Sequence, residues 1–359
     1  MNLAGGATSE LEAFYADVAA LDLQPLWTQK RNLMPSSPAP AAIPWLWRWT
    51  HLRRLAERSG ELIGIDRGGD RRVLALANPG LGGLPFTTPT LWAAVQYLGP
   101  GEGAPPHRHS PGAIRFVIEG ESVWTTVDGD ACDMHPGDLV LTPRGRWHDH
   151  QNGGNAPMIW FDGLDMPLVI GLDAMFYENH SGSAQPVRGR NLSERAHAGG
   201  GLAPVGRRQA AGKPESSPLL VYRREDTDAA LSRALAANGG PIASLEFVNP
   251  VTGDAALPTL GCEMHRIAPG RRTPSIRRAG SSVWLVHRGR GTTVIGGERF
   301  EWAEGDVFAI PSWAPVDHQA DELSDLFVIS DRPVLEALGL YREKTLEEPQ
   351  EVRGTFAPK

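Results

Sequence analysis

Apolar residues recur along this chain mostly with a period of two, in short runs bounded by turn residues, and at three places with the period of a helix. Ser9-Glu10-Leu11-Glu12 has a capping-box pattern and predicts a helix through about Leu21, with Leu11, Phe14, Tyr15 and Val18 on one face. Residues 43–63 read as an aromatic-rich lead into a second helix, with Trp45, Trp47 and Trp49 filling a core or a subunit contact. Residues 226–240 predict a short helix with a Thr227 or Asp226 cap and a glycine stop. Strands are expected at 71–80, 90–102, 113–119, 122–127, 138–142 and 157–161, and again from about Ala243. Between them, 181–218 is polar, Gly-rich and aperiodic, and reads as a linker or surface loop.

The later strands repeat the earlier ones. Residues 127–150 align with 295–318: both run strand, turn, Gly-Asp, strand, Pro and a final strand. Likewise 112–121 aligns with 281–290, so the offset is about 168 residues. A repeat of that length means a duplicated domain, two small barrels or sandwiches of roughly a hundred residues each.

Composition agrees with a turn-rich β architecture: 359 residues with 41 Gly, 30 Pro, 41% hydrophobic and 21% charged residues. A net charge of −7 argues against nucleic-acid or anionic-membrane partners, so an anionic ligand would need a local cationic pocket. Two distant cysteines, Cys132 and Cys262, argue against a disulfide framework and fit a cytoplasmic protein. The first residues lack the pattern of a signal peptide, and no apolar stretch is long enough to span a membrane.

The candidate chemistry lies in the first repeat. His107 and His109 are two residues apart and share a strand face, and His148 and His150 do the same on a later strand. The intervening strand and return bring the two pairs together. Two imidazoles from one pair and one from the other make a three-nitrogen metal site. Three neutral ligands leave a divalent metal its full charge and open positions, suited to a chelating anion plus a small molecule such as O2. Zinc with a bound water is the rival reading of the same spacing.

Gly101-x5-His107-x-His109-x3-Ala113-x6-Gly120 and Gly137-x5-Pro143-x-Gly145-x2-His148-x3-Asn152 resemble the two-part cupin signature, with Ala113 where many cupins carry a glutamate ligand. More closely, APPHRHSPGAIRFVIEGE, MHPGDLVLTP, WHDH, GGERFEWAEGD and SDRPVLEALGLYRE resemble the gentisate and salicylate 1,2-dioxygenase family over about residues 20–345. That resemblance implies an all-β bicupin with minor helices. Its parts would be a lead-in (1–85), a metal-binding barrel (86–180), a linker with a short helix (181–240), a metal-free barrel (241–345) and a tail (346–359). It implies a homotetramer holding one Fe(II) per chain on His107, His109 and His148. The substrate would be a small aromatic acid, with O2 as co-substrate. The rivals are a zinc-dependent cupin hydrolase or isomerase and a non-catalytic small-molecule-binding bicupin.

Strand parity places Arg115 on the inward face with Ala113. A buried guanidinium needs an anion, either the carboxylate of a substrate or a structural acid such as Asp162. Trp92, Ala94 and Gln96 alternate on one face of their strand, and by resemblance line the substrate pocket with Asp162. His150, unneeded as a ligand, is free to manage a hydroxyl proton. By resemblance Arg71 or Arg72 is a second arginine on the carboxylate side. Many gentisate enzymes carry tyrosine where Trp92 stands, which weakens the expectation of strict gentisate specificity. In the second repeat Ile276, Arg278 and Val316 replace the three ligands, and His318 alone matches His150.

Overall fold

The computed structural model describes residues 4–29, 33–65, 72–197 and 214–357. It divides into two compact units, Met1–Ala39 and Pro40–Lys359. In the first, helix α1 (Ala4–Ala20) begins ahead of Ser9, so the capping-box pattern lies inside the helix and not at its start. Trp27 Nε1 donates to the Tyr15 hydroxyl at 3.0 Å, and Leu11 and Phe14 are exposed.

The second unit is all-β with minor helices. Its first repeat comprises β1 (Trp45–Trp47), α2 (Trp49–Leu62), β2 (Val73–Ala75), β3 (Trp92–Leu98), β4 (Gly103–His109), β5 (Ala113–Glu119), β6 (Val123–Val127), β7 (Asp130–Met134), β8 (Leu139–Thr142), β9 (His148–Asn152), β10 (Met158–Leu164), α3 (Met166–Gly171), β11 (Tyr177–Asn179), β12 (Gly189–Arg190) and α4 (Leu192–His197). The second comprises β13 (Val221–Tyr222), α5 (Arg224–Asn238), β14 (Ile242–Glu246), β15 (Gly261–Ile267), β16 (Ile276–Arg278), β17 (Ser282–Arg288), β18 (Arg290–Ile295), β19 (Glu298–Ala303), β20 (Val307–Ile310), β21 (Val316–Ala320), β22 (Ser324–Ser330), α6 (Arg332–Ala337), β23 (Glu343–Thr345) and β24 (Gly354–Thr355). The first barrel joins sheets β13-β8-β5-β10-β3-β2 and β11-β4-β9-β6-β7-β12. The second joins β1-β20-β17-β22-β15-β14 and β23-β16-β21-β18-β19-β24.

The segment 181–218, expected as a linker or surface loop, therefore carries β12 and α4, its residues 198–213 lie outside the described residues, and the helix expected at 226–240 is α5, stopped by Gly239. Each repeat lends its leading strand to the other barrel: β1 pairs with β20, and β13 pairs with β8. The repeated Gly-Asp explains the exchange. Asp138 Oδ1 accepts from Arg224 N at 3.0 Å at the start of α5, and Asp306 Oδ1 accepts from Trp49 N at 2.8 Å at the start of α2. Each aspartate thus satisfies a free helix-end donor of the other repeat's lead-in. The cap expected from Thr227 or Asp226 is not formed; Thr227 Oγ1 instead donates back to Arg223 O.

Period-two alternation explains why β5 is apolar on both faces. Ala113, Arg115 and Val117 face the first barrel's interior, where Val117 packs with Leu98, Met134, Val140 and Trp160. Ile114 and Phe116 face outward into a core shared with the second barrel, against Leu285, Phe327 and Ile329. The Phe116 and Phe327 rings stack at 4.3 Å between centroids. Each such buried side chain contributes about 1.5–3 kcal/mol, so the outward face of β5 welds the barrels together. Trp47 and Trp49 pack against this core too, and Trp45 meets Phe356 edge to face.

Candidate metal centre and substrate cavity

The pairing of β4 with β9 brings four histidines together in one sheet of the first barrel, and Arg115 of β5 meets them from the other sheet. His107 lies directly opposite His148, and a bulge between Ala104 and His107 absorbs the two prolines that cannot donate to the ladder. One ring nitrogen from each of His107, His109 and His148 lies within 4.8 Å of the others. The ring centroids of His107 and His148 are 4.2 Å apart, and those of His109 and His148 4.9 Å.

The ring orientations are fixed by backbone carbonyls. His107 Nδ1 is 2.9 Å from Pro105 O, His109 Nδ1 is 2.9 Å from Pro111 O, and His148 Nδ1 is 3.0 Å from Arg146 O. A carbonyl only accepts, so each Nδ1 carries the proton and each Nε2 keeps its lone pair for a metal. His148 Nε2 is buried with no hydrogen-bond partner, an otherwise costly state that an ion would relieve. Burial, reinforced by the neighbouring imidazoles and Arg115, pushes His148 well below its usual range and His109 down to about 4. Both are therefore neutral and able to ligate at neutral pH. The residues fit a divalent metal. Among the described residues this is the one such cluster.

Beside it lies a cavity of about 290 Å³. Trp92, Gln96, Ala113, Arg115, His150 and Asp162 line it, as parity predicts, together with His107 and His109. Ala94 lies on the same strand face, fully buried opposite Asp162, and does not reach the wall. Arg72 does not line the cavity either. It pairs with Glu102, donates to Gly60 O at 3.2 Å and stacks over Tyr97, because alternation along β2 turns its neighbour Val73 to the wall instead. Arg71 lies outside the described residues. Sequence reasoning missed Val73, Leu164 and Tyr177 on the wall. Tyr177 stacks on His107 with centroids 5.3 Å apart, and only its place in a short strand paired with β4 reveals this. A larger cavity of about 780 Å³ elsewhere lacks any metal-ligating cluster and is flanked by His197 and Pro214.

Arg115 is buried and meets two groups. Its Nη1 donates to Thr142 Oγ1 at 2.5 Å, and its Nε lies 3.5 Å from Asp162 Oδ1. The second contact is an ion pair without a hydrogen bond, so Nε remains unsatisfied. Asp162 also accepts from Trp160 Nε1 at 3.0 Å. Burial pushes its carboxyl up to about 6, opposed by Arg115. The arginine, which lines the cavity, thus has a counter-ion in Asp162 and one unsatisfied donor.

His150 is held differently from the ligands. Thr125 Oγ1 donates to Met134 Sδ at 3.1 Å and sits 2.8 Å from His150 Nδ1. The hydroxyl oxygen therefore accepts from Nδ1–H and leaves Nε2 as a free base. Burial and Arg115 keep this ring well below its usual range, hence neutral.

A family model described as a cupin domain matches residues 94–166. A gentisate 1,2-dioxygenase from Streptomyces sp is 50% identical over 92% of this chain and 94% of its own length. A 5-aminosalicylate 1,2-dioxygenase from Comamonas sp is 36% identical over 99% and 96%. The crystal structure of a salicylate 1,2-dioxygenase from Pseudaminobacter salicylatoxidans superposes with a TM-score of 0.89 at 43% identity, covering 94% of this chain and 97% of that one.

Proposed function

Because this chain belongs to the gentisate and salicylate 1,2-dioxygenase family of cupin proteins, we propose that it opens the ring of a 2-hydroxybenzoate such as gentisate or a 5-substituted salicylate. Both atoms of O2 enter between the carboxyl-bearing and hydroxyl-bearing carbons, giving a ring-opened keto diacid. One observation carries the reading: a cluster of three histidines opens, through His107 and His109, onto a cavity of about 290 Å³ that is also lined by a buried arginine with an unsatisfied donor. That volume is at the low end for small-molecule pockets and suits a single ring with its substituents. A salicylate 1,2-dioxygenase of this family has been crystallised with gentisate adducts, which supports an aromatic acid in the corresponding cavity.

His107, His109 and His148 would hold Fe(II), which supplies the redox chemistry that lets O2 react with an aromatic ring. Arg115 binds the substrate carboxylate through its planar donor fork, taking up the Nε that Asp162 leaves unsatisfied. Asp162 keeps the guanidinium in place before substrate arrives. His150 takes the proton of the 2-hydroxyl at Nε2, since its Nδ1–H is committed to Thr125. Trp92 and Tyr177 bound the ring plane, and Gln96 offers its amide to the hydroxyl side. The enclosing wall excludes water from the charges that develop. Two free buried cysteines suit the reducing cytoplasm, where we place the enzyme, as the homotetramer usual for its family. No helix among the described residues is long and apolar enough to cross a membrane.

The test is oxygen uptake by iron-loaded protein against a panel of gentisate, 5-amino-, 5-chloro- and 5-nitrosalicylate and 1-hydroxy-2-naphthoate. The expected result is stoichiometric uptake with at least one member. No uptake with any of them, in protein that retains iron, overturns the reading.

A further inference from the structure

His109 owes its orientation to one peptide unit, and that unit is held by a carboxylate that the other barrel anchors. The Pro111 carbonyl accepts from His109 Nδ1 at 2.9 Å. The N–H of the same peptide, on Gly112, donates to Asp165 Oδ1 at 2.9 Å. Asp165 is fully buried, and its second oxygen accepts from Arg144 Nη2 at 2.8 Å and from Thr259 Oγ1 at 2.5 Å. Thr259 stands just before β15, in the second repeat. Arg144 belongs to the turn whose Gly145 N–H donates to His109 O at 2.9 Å. One carboxylate therefore fixes both the peptide that orients the His109 ring and the turn that holds the His109 backbone.

We propose that Asp165, anchored by Thr259 of the second barrel, is a positioning residue for the metal ligand His109, so that the metal-free barrel sets metal affinity in the first. The inference rests on the metal-site reading above. The duplication supplies its own control. Asp331 Oδ1 accepts from Ser281 N at 2.8 Å, and its Oδ2 accepts from Thr90 Oγ1 at 2.5 Å. That clasp crosses the barrels in the opposite direction, but the residue matching His109 is Arg278, which turns to Glu343 at 2.7 Å. Both clasps tie the barrels together, and only the Asp165 clasp ends on a ligand. Partners of this outer kind are worth about 10–100-fold in metal affinity when removed.

The experiment measures the Co(II) dissociation constant of the metal-depleted full chain by chelator competition. The parent is compared with Thr259→Val, Thr259→Ser and Thr90→Val, and thermal unfolding is followed in parallel. Thr259→Val should weaken Co(II) binding about tenfold. Thr259→Ser should restore it, and Thr90→Val should leave it within about twofold of the parent. Both valine variants lose one inter-barrel hydrogen bond and should lose comparable thermal stability. Equal Co(II) affinity in Thr259→Val and the parent overturns the inference, as does an equal loss in Thr90→Val, which would mark general loosening. A parent that binds no Co(II) at all overturns the metal-site reading and this inference with it.

Discussion

The two barrels share a strand order, registers and turns, yet one has a cavity and the other a plug. Position by position the pairing is the same: His107 opposite His148 becomes Ile276 opposite Val316, and Asp162 opposite Arg115 becomes Val328 opposite Trp284. Thr142, which receives the Arg115 guanidinium, becomes Ile310. Trp284 fills the space, stacking on His265 at 4.8 Å, meeting His318 at 4.6 Å and packing beside Phe308. The space left at the matching mouth is about 40 Å³, against about 290 Å³ in the first barrel. His318 keeps even the threonine partner of His150, with Thr293 Oγ1 2.8 Å away. The fold therefore does not carry the chemistry. The barrels differ in a handful of inward side chains, polar in the first and mostly apolar in the second, on one shared scaffold.

The strongest way to break the contrast is to remove a ligand. His148→Ala should abolish iron binding and all turnover, because two remaining imidazoles do not make a chelate with the needed geometry. Metal analysis of anaerobically loaded protein should give about one equivalent per chain for the parent and none for the variant. His318→Ala should leave that equivalent in place. A second tightly held iron surviving His148→Ala would show that the second barrel is not metal-free.

Next comes the plug. Trp284→Ala leaves a void among His265, Phe308 and His318 and should cost about 3–5 kcal/mol of stability, read by chemical denaturation. Iron content of the folded protein should not change. If Trp284→Ala costs little, the second interior is looser than its packing implies.

The matching position in the first barrel is Arg115. Arg115→Leu should retain iron and fold, yet lose roughly a hundredfold or more in kcat/KM for a carboxylated substrate, a few kcal/mol of charge-assisted binding. A variant that unfolds, while Asp162 titrates abnormally, would mean that the Arg115–Asp162 pair is structural and that the carboxylate binds elsewhere.

Much of this contrast is legible from sequence because a strand's period is two. The inward face of β5, the two His-x-His pairs and the loss of ligands in the second repeat all follow from counting parity. Three features do not. The exchanged strands β1 and β13 are three and two residues long, too short to carry a periodic signal. Arg72 reads as a pocket residue until Glu102, thirty positions away, captures it. Asp165 gives no signal in the sequence, because its partners Gly112, Arg144 and Thr259 come from three separate segments. Short-range pattern gives faces; long-range partners need the fold.

The smallest effect expected concerns specificity. Trp92 opens β3 half-buried on the cavity wall, where the second barrel has Gly261. An indole offers a broad apolar face and one N–H donor, whereas a tyrosine offers a hydroxyl that both donates and accepts. A ring hydroxyl left unpaired against the wall costs about 1–3 kcal/mol, and a nitro, chloro or unsubstituted position costs less. The indole therefore discriminates little against salicylates without a 5-hydroxyl. Trp92→Tyr should shift the ratio of kcat/KM values towards gentisate and away from 5-substituted salicylates by roughly fivefold, the equivalent of about 1 kcal/mol. The ratio should be taken with iron content matched, so that loading cancels. Changing Val73 or Tyr177, which share the wall, tests whether the shift belongs to position 92 alone. An unchanged ratio in Trp92→Tyr, or a parent that turns over gentisate alone, would make Trp92 a packing residue and place specificity on those neighbours.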